Sequence, residues 1–274
     1  MRRRLNRAQV KVALTATWCV LAFVYLFPYT WMVLTSIRQP VDTLEMRFIF
    51  APTLEGFRSL FVRNGFQAYL LNSILIAVPA TLACVAVASP AAYALTQLRL
   101  HGRFFLAAIL VARMVPGIAI VVPIYVAASR VGLLDTRTIL VVLYTAFNLP
   151  FAIWLLRGFF REVPPEVREA AIIDGCTEFQ VFRSMMLPLL TGGLVATGVF
   201  VFIAAWNEFL FALTLTQSNA ATAPLSVVGF RNEYGIDWLA IGAAAVMIST
   251  PVVVFAIVMQ RYLVRGLTMG SVKQ

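Results

Sequence analysis

Six apolar stretches, each long enough to cross a lipid bilayer as a helix, constrain the fold of this chain more than any other feature. The hydrocarbon core of a bilayer is about 30 Å thick and takes roughly 20 helical residues. Only 12% of the residues are charged, whereas soluble domains carry roughly 25%. The sequence therefore predicts an all-α membrane protein with six transmembrane helices. They cover about residues 12–34, 69–97, 104–129, 139–156, 191–213 and 239–262.

The basic residues predict the orientation of these spans. If the N-terminus is cytoplasmic, 14 of the 22 Lys and Arg residues lie in inner segments, 7 lie in outer segments, and Arg113 lies within a span. This excess follows the positive-inside rule. Both termini and the polar stretch 157–190 are therefore predicted to be cytoplasmic.

The formal net charge of +10 raises nucleic acid as a possible partner. The inner segments carry 14 bases but only five acids, so nearly all of the positive excess falls on the predicted cytoplasmic face. Topology and contact with anionic lipid headgroups account for that excess. The sequence therefore predicts contact with membrane lipid and no nucleic-acid binding.

The chain is predicted to form a single transmembrane domain over residues 1–274, because no linker-like or low-complexity segment interrupts it. Residues 1–68 hold the first span and the largest outer segment, and residues 69–262 hold a core of five spans. The first apolar run is too long for the core of a signal peptide, which predicts an uncleaved span. The outer segment is long enough for a small surface helix, either as a connector or as a contact surface for an external partner.

The residue types needed for catalysis are scarce. The chain has one histidine, His101, and its two lysines, Lys11 and Lys273, do not follow the glycine pattern of a phosphate-binding loop. The sequence predicts no catalytic residue, no metal and no cofactor bound by this chain. A membrane-embedded enzyme is the disfavoured alternative, because lipid-phase hydrolases need clusters of His, Cys or acidic residues.

Two charged residues, Arg113 and Glu208, lie within the apolar runs. A charge near the bilayer centre costs at least ~2.5 kcal/mol on insertion scales, so such residues usually face a bundle interior or a cavity. Their predicted depths differ by roughly 12 Å at 1.5 Å per residue. Three interpretations remain open: a direct pair, separate roles in lining a cavity, and snorkelling or structural hydrogen bonding.

Five residues are candidates for lining a substrate path. At Trp206, Asn207 and Glu208, an aromatic face beside hydrogen-bonding groups suits a sugar. The alternative for these three residues is an interfacial aromatic belt with local helix capping. Pro116 either bends a helix near the path or kinks it only for packing. The arginine either favours anionic substrates or braces neighbouring helices. The candidates are Arg113, Pro116, Trp206, Asn207 and Glu208.

The polar stretch 162–188 is predicted to form two short helices. Pro165 suits a first helical turn, Gly175 ends the first helix, and Thr177 with Gln180 forms a capping box for the second. At helical spacing, Val167, Ala170 and Ala171 are predicted to share a face that another backbone can approach closely. The stretch is interpreted as a docking helix-turn-helix, with an amphipathic helix on the membrane surface as the alternative.

Several motifs resemble one known family. Glu169-Ala170-Ala171, Asp174-Gly175 and Leu187-Pro188 resemble the EAA loop of the membrane subunits of binding-protein-dependent ABC importers. Further stretches resemble the sugar-transporting, MalG-like branch: residues 69–73, Pro116-Gly117 with Pro123, residues 205–208 and the tail 266–273. The resemblance covers essentially the whole chain. It departs from the family at Cys176, where alanine is usual, and at Gly192, where proline often occurs.

The resemblance implies the fold of an ABC type I importer permease with a cytoplasmic EAA coupling helix in a multi-pass protein of the bacterial plasma membrane. It implies three partners: a second permease subunit, a cytoplasmic ATPase dimer that binds ATP and Mg, and an extracytoplasmic substrate-binding protein. The implied activity is ATP-driven import of a sugar or sugar derivative, with a secondary, ion-coupled transporter as the alternative. The implied ATPase-coupling residues are Glu169, Ala170, Ala171, Asp174, Gly175, Leu187 and Pro188.

Overall fold

The computed structural model describes residues 7–42, 49–98, 107, 111, 114–232 and 235–268. Almost all regular structure in these ranges is helical. The main helices are α1 (Arg7–Ser36), α2 (Phe66–Gln97), α3 (Gly117–Arg130), α4 (Arg137–Glu162), α5 (Pro165–Ile173), α6 (Thr191–Trp206), α7 (Leu210–Leu215) and α8 (Trp238–Thr268).

Short elements connect these helices. Helical turns lie at Pro40–Asp42, Glu55–Arg58, Ser59–Arg63, Glu178–Gln180, Val181–Met186, Leu187–Leu189, Ala223–Ser226 and Val227–Gly229. Two short antiparallel strands, β1 (Arg231–Asn232) and β2 (Gly235–Ile236), pair with Arg231 opposite Ile236. The outer segment 35–68, which is long enough for a small surface helix, contains the helical turn Glu55–Arg58.

Within the described residues, four helices are long and apolar enough to cross a membrane, namely α1, α2, α4 and α8. A fifth span results if α6 is joined to the preceding segment Glu178–Leu189, which meets it at 78°. Most of the first half of the predicted third span lies outside the described residues, and its second half forms α3. The predicted count of six spans therefore stays a prediction.

The prediction of an unbroken fifth span over 191–213 is wrong. Helix α6 ends at Trp206, and a separate helix, α7, begins at Leu210. The Glu208 carboxylate accepts the backbone N–H of Phe211 at 3.0 Å, so it supplies an acceptor to the first turn of the new helix. The apolar run continues across the break, whereas the helix does not.

The chain divides into two compact units, residues 1–66 with 227–249 and residues 67–226 with 250–274. In the first unit, Gly56 lies against backbone: a Cβ there would be 2.6 Å from the carbonyl oxygen of Ser36 and 3.0 Å from that of Leu239. The Ser59 hydroxyl donates to the buried Asp237 carboxylate at 2.8 Å. Because Asp237 also accepts the N–H of Ala240 at 3.0 Å, it caps the start of α8.

A buried arginine lies in the same unit. Arg38 is 3% exposed. Its guanidinium lies 4.7 Å from the ring centre of Trp31 and 5.3 Å from that of Phe50. These distances fit cation–π contacts, which offset part of the cost of removing the charge from water.

The second unit has two apolar clusters. One cluster lies around Leu140 and Trp206 and joins α2, α3, α4, α6 and α7. The other lies around Leu156 and Met186 and joins α2, α4 and α6 to the polar stretch 162–188. Helix α2 contributes a row of buried small residues to both clusters, which lets neighbouring helices approach closely in lipid. The row is Ala77, Ala80, Cys84, Ala88 and Ala92.

The close backbone contact at Gly56 yields a stability prediction. Gly56→Ala should lower the free energy of unfolding by about 1–3 kcal/mol, because the added methyl group would overlap a carbonyl oxygen that belongs to the backbone. The measurement is thermal unfolding of the purified protein in detergent. Gly229→Ala in the same unit is the matched control, since no heavy atom lies within 4 Å of its added Cβ. Equal unfolding temperatures for the two variants would contradict the prediction.

Candidate functional site

The polar loop, residues 162–188, contains the two helical segments that its sequence predicts. Helix α5 begins at Pro165 and ends before Gly175, whose φ of +85° is readily available only to glycine. The capping box is present: Thr177 N–H donates to Gln180 Oε1 at 2.8 Å, and Gln180 N–H donates to Thr177 Oγ1 at 3.4 Å. The two segments therefore have separate local stop and start signals.

The predicted shared face of Val167, Ala170 and Ala171 is only partly correct. Ala171 is buried and packs with half-buried Val167 in the second apolar cluster of its unit, whereas Ala170 is exposed. Residues 167 and 171 are one helical turn apart and face inward, and residue 170 is rotated about 100° away from residue 171. One alanine of the motif therefore packs against the spans, and the other faces outward.

The outer surface of the polar loop combines carboxylates with large apolar side chains. Ile173 is 85% exposed and Phe179 is 67% exposed, and they lie on opposite sides of the Gly175 turn. Exposed apolar groups rimmed by polar ones mark interaction surfaces. Sequence reasoning missed both residues, although a large apolar residue near the glycine turn of a polar segment was a usable signal. The exposed motif residues on this surface are Glu169, Ala170, Asp174, Gly175 and Pro188.

An ion pair holds the two halves of the polar loop together. The Arg168 guanidinium in α5 pairs with the Glu178 carboxylate across the Gly175 turn. The hydrogen bonds to Glu178 raise the pKa of Arg168 above its ordinary value. The same carboxylate also accepts a hydrogen bond from Tyr93 of α2. Leu187, the other motif residue of this region, is half-buried.

Beside the polar loop is a cavity of about 510 Å³ between the ends of α2 and α4 and the start of α5. Its lining is mostly polar. It includes Gln97, Arg161, Arg168 and Glu169, so charges of both signs face it.

The structure gives the candidate path residues mainly local roles. Trp206 is 2% exposed and stacks on Phe202 with ring centres 5.5 Å apart, so its ring is packed within this chain. Exposed Asn207 donates to the carbonyl oxygen of Ile203 at 2.8 Å. With Glu208 bound to the first turn of α7, the geometry favours packing and local capping for these three residues. Their role in a path stays a prediction.

Two further candidates for the substrate path are Pro116 and Arg113. Pro116 is exposed and immediately precedes α3. The next residue, Gly117, lies against α7, because its added Cβ would be 3.3 Å from Leu210 Cδ2. Arg113 lies outside the described residues, so its pairing with Glu208 stays open.

A second polar cluster holds the loop 216–223 and was not found from the sequence. Asp135, at φ 54°, accepts four consecutive backbone N–H groups at 2.9–3.3 Å. The donors belong to Gln217, Ser218, Asn219 and Ala220. Nothing in the local sequence of Asp135 identifies partners about 80 positions away.

Helix α2 holds the same loop from the other side. Asn72 Nδ2 donates to the carbonyl oxygens of Asn219 and Ala221, both at 3.0 Å. Ser73 Oγ accepts the N–H of Ala223 at 2.8 Å. Both side chains are buried, so the motif at residues 69–73 has a structural role.

Residues 84–269 match the family described as binding-protein-dependent transport system inner membrane component. The chain belongs to this family. It is 58% identical over 270 residues to a probable ABC transporter permease protein, y4oR, of Sinorhizobium fredii, a match that covers 98% of each chain. It is also 37% identical over 253 residues to the trehalose transport system permease protein SugB of Mycobacterium tuberculosis, covering 90% of this chain and 92% of the relative.

A solved structure shows the same fold. It is the crystal structure of a bacterial ABC transporter involved in the import of the acidic polysaccharide alginate, and one of its chains matches with a TM-score of 0.78. The identity is 22%, and the match covers 96% of this chain and 99% of that chain. The resemblance drawn from the EAA motifs and the all-α importer permease fold are therefore confirmed. The relatives are transporter permeases, so this chain is an inner membrane transporter component rather than an enzyme.

The Asp135 contacts yield a prediction with a defined pH dependence. Burial alone would raise the pKa of Asp135, but the four backbone donors together hold it below its ordinary value. The stabilisation by the carboxylate should therefore be complete above the unfolded-state pKa of about 3.9 and should disappear as the pH falls through the lower folded-state value. Asp135→Asn should cost about 1–3 kcal/mol at pH 7.

The measurement is thermal unfolding of both proteins in detergent between pH 7 and pH 3. The difference between wild type and Asp135→Asn should be constant down to about pH 4 and should shrink below it. Glu162→Gln, which neutralises an exposed carboxylate, serves as the control. A difference that grows as the pH falls would refute the assigned ionisation state.

Proposed function

We propose that this chain is the membrane-spanning permease subunit of an ATP-driven importer that moves a sugar or sugar derivative across the inner membrane by alternating access. The observation that carries the proposal is the outward surface of the polar loop, where the large apolar side chains of Ile173 and Phe179 and the carboxylates of Glu169 and Asp174 are all exposed. Family membership supports an import function. The assignment of a sugar as the substrate is supported by the 37% identity to the trehalose permease.

A protein groove fits this surface better than the membrane surface does. Four exposed carboxylates of the polar loop outnumber its exposed arginine, Arg183. The cytoplasmic leaflet is negatively charged and would repel such a segment, although its apolar side chains could enter lipid. The acidic positions are Glu162, Glu166, Glu169 and Asp174.

The partner at this groove is a cytoplasmic ATPase dimer, which would hold ATP and Mg while this chain binds no cofactor. The proposed coupling residues are the seven EAA-loop positions given by the sequence, together with Ile173 and Phe179. A second, different permease subunit would complete the translocation path. A substrate-binding protein would dock on the opposite face, where the predicted orientation places the loop 216–223.

The packing suggests how movement at the polar loop reaches the membrane. Ala171 and Val167 pack in the same apolar cluster as Leu156 of α4 and Met186. Because densely packed side chains cannot separate without leaving a cavity, a displaced α5 would carry α4 with it. Closure of the ATPase dimer would thereby tilt the spans and open the path outward.

Transport should require ATP and no ion gradient. The complete complex would be reconstituted in vesicles with its ATPase and binding protein, and uptake of labelled trehalose, maltose and glycerol 3-phosphate would be measured with internal ATP. Uptake of one of the neutral sugars should vanish without ATP and should survive ionophores. Ionophore-sensitive, ATP-independent uptake would support the secondary transporter, and uptake of glycerol 3-phosphate alone would favour an anion-selective path with Arg113 as its cation.

Docking of the polar loop is tested with Ile173→Asp. A carboxylate at a desolvated interface position should weaken retention of the ATPase subunit by about tenfold or more. The measurement is the amount of ATPase subunit that copurifies with the tagged permease at matched membrane abundance. Val41→Asp, at a similarly exposed apolar position in a predicted outer segment, is the control and should retain the ATPase. Equal retention by both variants would count against docking at this surface.

A further inference from the structure

Tyr93 of α2 joins a membrane span to the polar loop. Its side chain is buried, and its hydroxyl donates to Glu178 Oε2 at 2.8 Å. Its ring centre lies 5.7 Å from that of Phe160 in α4 and 5.3 Å from that of Phe182, which lies within the second helical segment of the loop. One side chain of α2 therefore contacts a second span, α4, and the polar loop.

The acceptor of this hydrogen bond belongs to both halves of the polar loop. Glu178 opens the second helical segment, and it is paired with Arg168 of α5. Glu178 Oε2 accepts from Tyr93 and also from Arg168 Nε, the latter at 3.2 Å. A displacement of either half would thus act on the carboxylate that holds Tyr93.

The opposite end of the same helix is also held by polar contacts. Asn72 and Ser73 bind the backbone of the loop 216–223. Helix α2 runs without interruption from Phe66 to Gln97, and Asn72 and Tyr93 are separated by roughly 32 Å at 1.5 Å per residue. That length matches the hydrocarbon thickness of a bilayer. A single helix therefore links the polar loop at one face to the loop 216–223 at the other.

We propose that Tyr93 is a positioning residue that makes α2 move with the polar loop, so that α2 transmits nucleotide-driven movement to the loop 216–223. The inference rests on the proposed docking of the polar loop to an ATPase. The apolar contacts of the loop with the spans resist separation, but they are not directional and do not by themselves fix one relative position. The hydrogen bond to an ionised carboxylate is directional and stronger than a neutral one, so it favours a single relative position.

The test follows the loop 216–223 directly and needs no knowledge of the sugar. A spin label is placed at exposed Ser218→Cys after Cys19, Cys84 and Cys176 are replaced by alanine. The complete transporter in vesicles is compared without nucleotide and after trapping with ATP and orthovanadate. The label should respond to trapping in the otherwise wild-type complex. Tyr93→Phe should lower the ratio of responding to non-responding label by about fivefold, the effect of one hydrogen bond on an equilibrium constant.

Tyr93→Phe keeps the ring and its contacts, so it removes only the hydroxyl. Tyr125→Phe, which removes a hydroxyl from a half-exposed tyrosine on α3, is the matched control and should leave the response unchanged. Glu178→Gln should lower the response at least as much as Tyr93→Phe, because it removes the ionised acceptor of this hydrogen bond and also the ion pair with Arg168. A full response in Tyr93→Phe, or equal losses in both tyrosine variants, would overturn the proposal.

Failure of the proposed function gives a different pattern. If the polar loop does not dock, the Ile173→Asp complex keeps its ATPase and its nucleotide response, as the wild type does. If docking is correct and Tyr93 has only a packing role, Tyr93→Phe lowers the abundance of the complex but leaves the response per complex intact. A wild-type complex without any response to trapping would overturn both.

Discussion

The packing of α2 depends on a row of small side chains, and the architecture of the larger unit depends on that packing. Lipid tails are as apolar as leucine, so the hydrophobic effect does not drive helices together inside a membrane. Close approach of backbones replaces it, and Ala80, Cys84 and Ala88 are fully buried on one side of α2. This row contributes residues to both apolar clusters of the unit, so both clusters pack against α2.

The packing of α2 also contributes to the position of the polar loop. The buried side of the polar loop packs in the same apolar cluster as the spans, through Ala171, Val181 and Met186. The side that remains outward keeps its carboxylates and the exposed Ile173 and Phe179. A segment that served only as a connector would gain nothing from two large apolar side chains in water. Burial on one side and exposure on the other give the loop two separate contact surfaces.

Sequence reasoning succeeded where the physical signal is local. The apolar runs predicted α1, α2, α4 and α8 because length and hydropathy are read directly, and Gly175 with Thr177 and Gln180 predicted both ends of the turn in the polar loop. It failed where the answer depends on tertiary contacts. Averaged hydropathy hides the break after Trp206, since apolar residues continue beyond it. The inward side of α5 and the four donors that meet Asp135 are set by segments distant in sequence.

The distribution of polar contacts along α2 bears on how a bundle can switch between two arrangements. Its middle packs through small side chains and is joined to α4 by a hydrogen bond from Thr145 Oγ1 to the carbonyl oxygen of Ala80 at 3.3 Å. Its ends make buried hydrogen bonds with defined partners, through Asn72 and Ser73 at one end and Tyr93 at the other. An unsatisfied buried polar group is expensive, so these contacts hold the two loops to the ends of the helix. If the chain works as proposed, such a helix would move together with the loops at its ends, as alternating access requires of a span.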